Sequence, residues 1–397
     1  MKKFFAVLLI LSLGLAVYPY TSLYDFSSGE SNQPLFGKAA GAGNSDMFFN
    51  PAFNPSLMFS TDKYYVGVGF SGVSHRETRS EYIFDTYDNT VGKKNVYDNS
   101  FLYGEPSYIM GYMPLGVVSI SLGYENLLSK DYTYNKIFRD DNYVVLYEES
   151  EASIGNINGY FLSVSYAVWK LKAGVNVSIL QGDGTNEYSI IYVDPSKIDS
   201  SHSVDEQYSG ARGGLGLTYS PFKNLQIMAV YHIQTSIKNQ VGADYIGSDT
   251  VSYAYDSDYI LPNTAGVGVR YFSAGSMPSS LMLNAVYERW TELNGDVLEY
   301  NDIVKYSAGV EHELTSSVNL LYGILYEPFK MNNQVADVGF TAGLSITISQ
   351  AQFTVSGQYR HLNYDKLKYE DDDLDVNPSV FYTERVLRLT GDVTILF

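Results

Sequence analysis

The chain has 397 residues, a net charge of −18 and no cysteine. The lack of cysteine excludes disulfide bridges, thiolate metal ligands and a lipid-modified cysteine behind a signal sequence. The acidic balance argues against nucleic acid as a partner.

The first residues predict an exported protein. Residues 1–3 are Met-Lys-Lys, an apolar run covers residues 4–13, and small residues at 14 and 16 offer a cleavage site. This arrangement predicts a signal peptide over residues 1–16. The run is shorter than the ~20 residues of a spanning helix. No later apolar run is long enough either, so a membrane-embedded chain would have to be a β-barrel.

Residues 17–63 do not alternate between polar and apolar positions. They are rich in Gly, Ser, Asn and Pro, and the Asn-Pro pairs beginning at Asn50 and Asn54 favour turns or extended backbone. A disordered leader is one interpretation of this composition. The stretch 47–59 is too apolar to remain solvated, which favours an N-terminal hatch, or plug, inside a barrel lumen.

From Tyr64 to Phe397 the chain alternates with the two-residue period of β-strands. We predict an all-β fold, a 14-stranded antiparallel transmembrane β-barrel over residues 64–397. The last strand has apolar residues at every second position from Leu387 to Phe397, and it must pair with the first strand to close the barrel. The 37 tyrosines suit the aromatic girdles of such a barrel.

The connections between predicted strands are alternately short and long, as outer-membrane barrels require. The short ones place the N-terminal segment and Phe397 on the same, periplasmic side. The long ones are predicted to be polar external loops. They cover residues 76–106, 128–159, 181–207, 238–258, 292–302, 328–336 and 364–383.

Charged residues within the strands are predicted to face the lumen, because a charge facing hydrocarbon at mid-depth costs about 2–4 kcal/mol. They can satisfy one another electrostatically, or one or two of them can hold a carboxylate. The inward set is Arg212, Arg270, Glu288, Lys305, Glu311, Arg360, Arg388 and Asp392.

Three groups of residues resemble one known family. The first is GAGNSDMFFNPA at 41–52, and the second is LPNTAGVGVRY at 261–271. The third comprises residues 283–290, 306–312 and 320–328. In their order and spacing they resemble the FadL-like family of outer-membrane barrels, which take up long-chain fatty acids and aromatic hydrocarbons. The chain departs from the family pattern at Phe53, where a glycine is usual, and in its acidic, tyrosine-rich loops.

The resemblance implies a passive transporter for hydrophobic compounds such as long-chain fatty acids. The hatch would block the lumen, and the ligand would bind in an apolar pocket near the hatch and leave sideways through the wall. By this analogy Asn50, Pro51 and Ala52 form the hatch motif. The tentative ligand-binding residues are Met47, Phe48, Phe49, Phe53, Arg270 and Arg360.

The expected setting is the bacterial outer membrane, where the chain would act as a monomer in contact with lipid and lipopolysaccharide. No residue pattern indicates an enzyme, a cofactor or a metal site. The acidic run 370–375 is either a solvated loop tip or a site for calcium or other bridging cations. A barrel scaffold for secretion or surface attachment and a general diffusion channel are the alternative functions. An apolar pocket beside the hatch would favour the transporter.

Overall fold

The computed structural model describes residues 30–31, 36–57, 63–87, 89–130, 132–139, 142–247, 250–275, 277–293, 300–330, 335–367 and 379–397. The predicted signal peptide and the acidic run 370–375 lie outside these residues. No helix in the described part is long and apolar enough to cross a membrane.

Eighteen described strands form one sheet. They are β1 (Glu30–Ser31), β2 (Tyr65–Phe84), β3 (Thr90–Leu115), β4 (Val118–Ser129), β5 (Tyr132–Arg139), β6 (Val145–Val168), β7 (Leu171–Tyr192), β8 (Ser200–Phe222), β9 (Leu225–His232), β10 (Thr235–Ile246), β11 (Thr250–Leu261), β12 (Asn263–Ser273), β13 (Ser279–Arg289), β14 (Ile303–Thr315), β15 (Val318–Pro328), β16 (Ala336–Ile348), β17 (Ala351–Leu367) and β18 (Ser379–Leu396). Two short helices, α1 (Gly37–Gly41) and α2 (Asp46–Phe49), and 3₁₀ turns at Pro55–Leu57 and Thr291–Leu293 complete the described elements.

The two ends of the alternating region meet, and the sheet closes. Strand β18 pairs antiparallel with β2 from Val380↔Glu81 to Leu396↔Tyr65. The Phe397 amide then donates to the Tyr64 carbonyl at 2.8 Å. Three barrel strands are each interrupted once, so that β4–β5, β9–β10 and β11–β12 count as single strands. The prediction of a closed, antiparallel 14-stranded barrel is confirmed.

The faces of the strands also agree with the prediction. In β16, Val338 and Phe340 are exposed on the outer face, whereas Thr341 and Ser345 are buried on the inner face. The eight predicted inward charges all lie on the lumenal side, where they line the lumen or contact one another. An outer face of exposed apolar side chains is stable in lipid and not in water.

The prediction of long external loops is wrong at four connections. Residues 76–106 form the β2–β3 hairpin, and residues 238–258 form the β10–β11 hairpin. Residues 128–159 contain β5 and the start of β6, and residues 181–207 contain the end of β7 and the start of β8. Outside the membrane both faces of a strand meet water, so the alternating pattern disappears while the hydrogen-bonded ladder continues. The sequence pattern therefore reported only the part of each strand that faces lipid.

Residues 36–57, called the lumenal segment below, pack against the inner wall. Helix α1 contacts β15 to β18, α2 contacts β12, and the turn Pro55–Leu57 contacts β6, β7 and β8. Most of its residues are buried, and the others are half-buried. These contacts are compatible with the predicted hatch. The domain bounds 1–16, 17–63 and 64–397 stay predictions.

Candidate ligand cavity and wall gap

The first half of the lumenal segment is hydrogen-bonded to strands on one side of the barrel. The Gly37 amide donates to Asp392 Oδ2 at 2.6 Å, and Thr341 Oγ1 donates to the Gly41 carbonyl at 2.7 Å. Lys38 Nζ lies 3.0 Å from Glu311 Oε1. Polar wall residues thereby satisfy the backbone of a helix too short to be stable by itself.

Wall glycines let the lumenal backbone approach closely. A Cβ atom at Gly309 would overlap the Ala42 carbonyl oxygen, and one at Gly323 would lie 2.5 Å from the Gly43 nitrogen. On the opposite wall, a Cβ at Gly174 would lie 2.6 Å from the Pro55 carbonyl oxygen. Glycine is therefore required at these inward positions, because any side chain there would occupy the space of the lumenal backbone.

The predicted hatch motif forms a turn stabilised by its own side chains. Asn50 Oδ1 accepts hydrogen bonds from the Ala52 and Phe53 amides at 2.9 and 3.2 Å. Pro51 lies between Asn50 and Ala52 in this turn. The wall binds the same turn, because Asn176 Nδ2 donates to the Ala52 carbonyl at 2.6 Å. Asn50 and Ala52 thus fix the local conformation of the lumenal segment.

A cavity of about 200 Å³ lies between the lumenal segment and the outer half of the barrel. Its apolar lining comes from the segment, the interrupted strand β4–β5 and the far wall. This lining includes Met47, Phe53, Leu127, Leu128, Ile157, Leu261, Val286, Trp290, Leu325 and Phe329. Its charged lining includes Arg212, Glu288, Lys305, Glu327, Asp337 and Arg360. The lining therefore combines apolar side chains, which can hold a hydrophobic molecule, with many charged ones.

Most of the cavity charges form ion pairs. Lys305 Nζ lies 3.1 Å from Glu288 Oε1 and 2.5 Å from Glu327 Oε1, and Arg360 Nη1 lies 3.0 Å from Asp337 Oδ2. Arg212 forms no direct ion pair among the described residues, although the Glu288 and Glu125 carboxylates interact with it electrostatically. One of its Nη atoms donates to Thr264 Oγ1 at 3.2 Å, while its Nε is buried without a partner among the described residues.

The structure brings three of the six tentative ligand-binding residues to the cavity lining. Met47, Phe53 and Arg360 line the cavity. The other three do not appear in its described lining. Phe48 packs among buried apolar side chains, and the Arg270 guanidinium lies 5.3 Å from the Phe49 ring centre and 2.9 Å from Glu311. Arg212 was recognised as an inward charge, but alternation identifies a face and gives no information about a side chain's partner. The placement does not test ligand binding, which stays a prediction.

The barrel wall is interrupted between β3 and β4, at a feature called the wall gap below. These strands pair only from Leu115↔Val118 to Tyr108↔Glu125. Beyond that point, the described residues of β3 pair with β2, whereas β4 and β5 pair with β6. The β3–β4 ladder extends for eight residue pairs from the short turn. This is about 25 Å along the strands and about 20 Å of height at a tilt of about 40°, so the gap begins in the outer part of a ~25 Å apolar band.

Irregular backbone on both strands produces the wall gap. Pro106 has no amide hydrogen to donate, and the β2–β3 register shifts beside it, between Gly69 and Phe70. The β4–β6 register shifts between Asn126 and Leu128, so that Leu127 is the extra residue. Bulges bend strands and end their pairing. Because Leu127 lines the cavity, the cavity extends to the gap.

Side chains bridge the gap where the ladder ends. Glu105 Oε2 accepts hydrogen bonds from Asn126 Nδ2 at 2.7 Å and from Ser129 Oγ at 3.3 Å. The free edge of β4 also pairs with β1, in the register Glu30↔Ser129 and Ser31↔Leu128. Among the described residues, the wall beyond Tyr108↔Glu125 is therefore closed by these side-chain contacts and by the two-residue strand β1, because the β3–β4 backbone ladder ends there.

Lys130, between β4 and β5, connects the interrupted strand to β8. Its Nζ is buried, lies 2.6 Å from Glu206 Oε2 and also donates to the Tyr208 hydroxyl. Glu206 is in the outer extension of β8, beyond the membrane-spanning part. Burial raises the pKa of Glu206, but the Lys130 ammonium and hydrogen bonds from Tyr208 and Asn239 outweigh burial and lower it.

We expect Lys130→Met to destabilise the barrel by about 3 kcal/mol, because it leaves the Glu206 carboxylate buried without its cation. Urea unfolding followed by circular dichroism in detergent micelles would measure the change. The exposed Lys223 supplies the control, Lys223→Met, which should unfold as the wild type does.

The pH dependence of the same pair has a defined sign. Because the pKa of Glu206 is lower in the folded state, its stabilisation is complete above the unfolded carboxyl pKa of about 4.3 and is lost as the pH falls through the folded pKa. The free energy of unfolding of the wild type should therefore exceed that of Lys130→Met by less as the pH falls below about 4. A difference that grows on acidification would contradict this assignment.

No family model matches the sequence, and no curated protein matches it. Solved structures do match its fold. A FadL homologue of Pseudomonas aeruginosa superposes with a TM-score of 0.66 and 13% identity over 96% of this chain and 99% of that one. The Pseudomonas putida toluene transporter TodX superposes with a TM-score of 0.63 and 12% identity over 94% of this chain and 100% of that one. The Ralstonia pickettii toluene transporter TbuX superposes with a TM-score of 0.59 and 13% identity over 93% of this chain and 99% of that one. The chain therefore has the FadL-like fold that its sequence motifs predicted.

Proposed function

We propose that the chain is a passive transporter for hydrophobic compounds in the bacterial outer membrane. The observation that carries this proposal is the cavity that reaches the wall gap at Leu127. A ligand would bind in the cavity and leave through the gap into the membrane, because a hydrophobic molecule gains no free energy from an aqueous exit. The lumenal segment would block the direct path through the barrel.

The fold neighbours support this choice. Their names describe transporters of toluene and channels for monoaromatic hydrocarbons. None of these names describes an enzyme, which agrees with the expectation of no catalytic activity. A scaffold would need no cavity, and a diffusion channel would need an open lumen. Monomeric action and contact with lipopolysaccharide stay predictions.

The ligand set of this proposal includes compounds with a carboxylate, such as long-chain fatty acids. Arg212 lines the cavity and forms no direct ion pair among the described residues, although the Glu288 and Glu125 carboxylates interact with it electrostatically from a greater distance. Apolar side chains such as Phe53 and Leu127 line the same space. A guanidinium binds a carboxylate by charge-assisted hydrogen bonds. Arg360 and Arg270 already bind Asp337 and Glu311, which makes them weaker candidates than Arg212.

Closing the wall gap covalently would test lateral release. The natural chain has no cysteine, so Glu105→Cys together with Asn126→Cys introduces a single reactive pair. We expect a short bifunctional methanethiosulfonate reagent to stop uptake of radiolabelled toluene by cells that express this variant, and a reducing agent to restore it. Each single-cysteine variant, treated identically, is the control. Uptake that continues after complete cross-linking would exclude the wall gap as the exit.

A further inference from the structure

Two arginines lie side by side on the outer surface of the barrel, where β18 closes onto β2. Arg385 is directly opposite Arg76 in the β18–β2 ladder, so their side chains are on the same face of the sheet. Both are exposed, and the next outward residues of β18, Leu387 and Leu389, are exposed apolar side chains. Like charges directly opposite each other destabilise a sheet, so an anion between the two guanidinium groups would stabilise this arrangement.

The described residues supply one direct counter-charge to this pair. Arg76 Nη2 lies 3.8 Å from Asp98 Oδ2, and both side chains are about half exposed. An exposed ion pair of this length contributes little. The Asp98 carboxylate also accepts a hydrogen bond from Thr78 Oγ1 at 2.6 Å. The Arg385 guanidinium forms no ion pair in the described part of the chain. The site therefore has a net positive charge, although the net charge of the chain is −18.

The height of the two arginines matches the outer boundary of the membrane. Arg385 precedes Leu396 by eleven positions in β18, and Arg76 follows Tyr65 by eleven positions in β2. This separation is about 36 Å along a strand and about 28 Å in height at a tilt of about 40°. Because the apolar band of such a barrel is ~25 Å tall, the guanidinium groups lie at the level of the outer-leaflet head groups.

The outward face next to the arginines, one step nearer the membrane centre, is apolar. Leu387 lies opposite Tyr359 of β17, which lies opposite Phe340 of β16, and all three side chains are exposed. A molecule at the site therefore meets two cations at the head-group level and apolar side chains at the level of the acyl chains. This arrangement suits a phosphate-bearing lipid better than a small water-soluble anion.

We propose that Arg76 and Arg385 bind a phosphate group of lipid A, the membrane-embedded part of lipopolysaccharide in the outer leaflet. A guanidinium can donate two parallel hydrogen bonds to a phosphate, and a phosphate between two guanidinium groups offsets their mutual repulsion. The acyl chains would lie along Phe340, Tyr359 and Leu387. This inference goes beyond the proposed function, because it does not depend on which compound the barrel transports.

Titration of the purified barrel with lipid A in detergent micelles, followed by native mass spectrometry, would test the site. We expect the wild type to retain one lipid A molecule. Arg76→Gln combined with Arg385→Gln should lower the affinity at least tenfold, about the effect of losing one charge-assisted hydrogen bond. Lipid A without its phosphates should bind the wild type as weakly as intact lipid A binds this double variant.

Asp98 supplies a variant with an effect of the opposite sign. Its carboxylate competes with the ligand phosphate for Arg76, so we expect Asp98→Asn to bind lipid A about twofold to fivefold more tightly than the wild type. If the arginines only stabilised the barrel, Asp98→Asn would give no such gain in affinity.

Arg139→Gln combined with Lys197→Gln is the matched control. It removes the same charge from two exposed positions away from β2 and β18, and it should keep the wild-type affinity. Heat-dependent migration on gels would show that every barrel has folded.

Wild-type affinity in the arginine double variant, or an equal loss of affinity in the control, would overturn the inference. Phosphatidylglycerol and inorganic phosphate distinguish the sources of the anion. Equal affinity for phosphatidylglycerol would indicate a site for any anionic lipid, and displacement of lipid A by millimolar inorganic phosphate would indicate a site for the free anion. Either result would exclude the assignment to lipid A.

Discussion

Substituting Gly309 by valine should displace the lumenal segment and open the barrel to ions. Gly309 lies on β14, and any Cβ atom there would overlap the Ala42 carbonyl oxygen. The overlapping group is backbone in helix α1 and its turn, which is held by Asp392, Thr341 and the neighbouring wall. Overpacking costs about 1–3 kcal/mol where side chains can adjust. A backbone overlap has fewer ways to relax, so we expect a cost at the upper end of that range.

Single-channel recording in planar bilayers would measure this effect. The wild type should conduct little, and Gly309→Val should show a stable conductance of an open lumen. Protease digestion in vesicles should cut the lumenal segment only in the variant. Gly111→Val is a matched control, since nothing lies within 4 Å of a Cβ atom at that strand position. Equal conductance in Gly309→Val, Gly111→Val and the wild type would show that the contact does not hold the segment in place.

The barrel could be predicted from the sequence because lipid imposes a strict rule on its strands. Each lipid-facing position must be apolar, and a sheet in hydrocarbon must close to pair its backbone. Val338 and Phe340 therefore identified a face, and Phe397 identified the seam with Tyr64. The parts of the strands that extend beyond the membrane were not predicted, because strands in water do not follow this rule.

The cavity and the wall gap depend on another kind of information. Pro106 is visible in the sequence, but a proline in a strand does not reveal whether the neighbouring strand is also irregular. The gap needs the bulge at Leu127 as well, and no local pattern marks that residue. Arg360 forms an ion pair, whereas Arg212 forms a hydrogen bond with Thr264. This difference likewise depends on distances between strands, which the sequence does not show.

Replacing Arg212 by methionine should weaken the binding of carboxylate ligands and spare neutral ones. A charge-assisted hydrogen bond contributes about 1.5–3 kcal/mol, which corresponds to a loss of affinity of about tenfold to a hundredfold. Decanoate and methyl decanoate share the same chain and differ in the charge of the head group. Calorimetric titration of the purified barrel with each compound should show weaker binding of decanoate alone.

The alternative carboxylate site makes this experiment decisive. Arg360 was the residue favoured by sequence, but it forms an ion pair with Asp337 at 3.0 Å. Arg360→Met should therefore reduce stability, since it leaves Asp337 without its cation, while the affinity for decanoate changes little. If decanoate binding falls with Arg360→Met and persists with Arg212→Met, the ligand carboxylate displaces Asp337 and the assignment to Arg212 is wrong. If neither variant changes it, the ligand's head group binds elsewhere in the barrel, and the apolar lining at Phe53 and Leu127 would account for affinity without a charged contact.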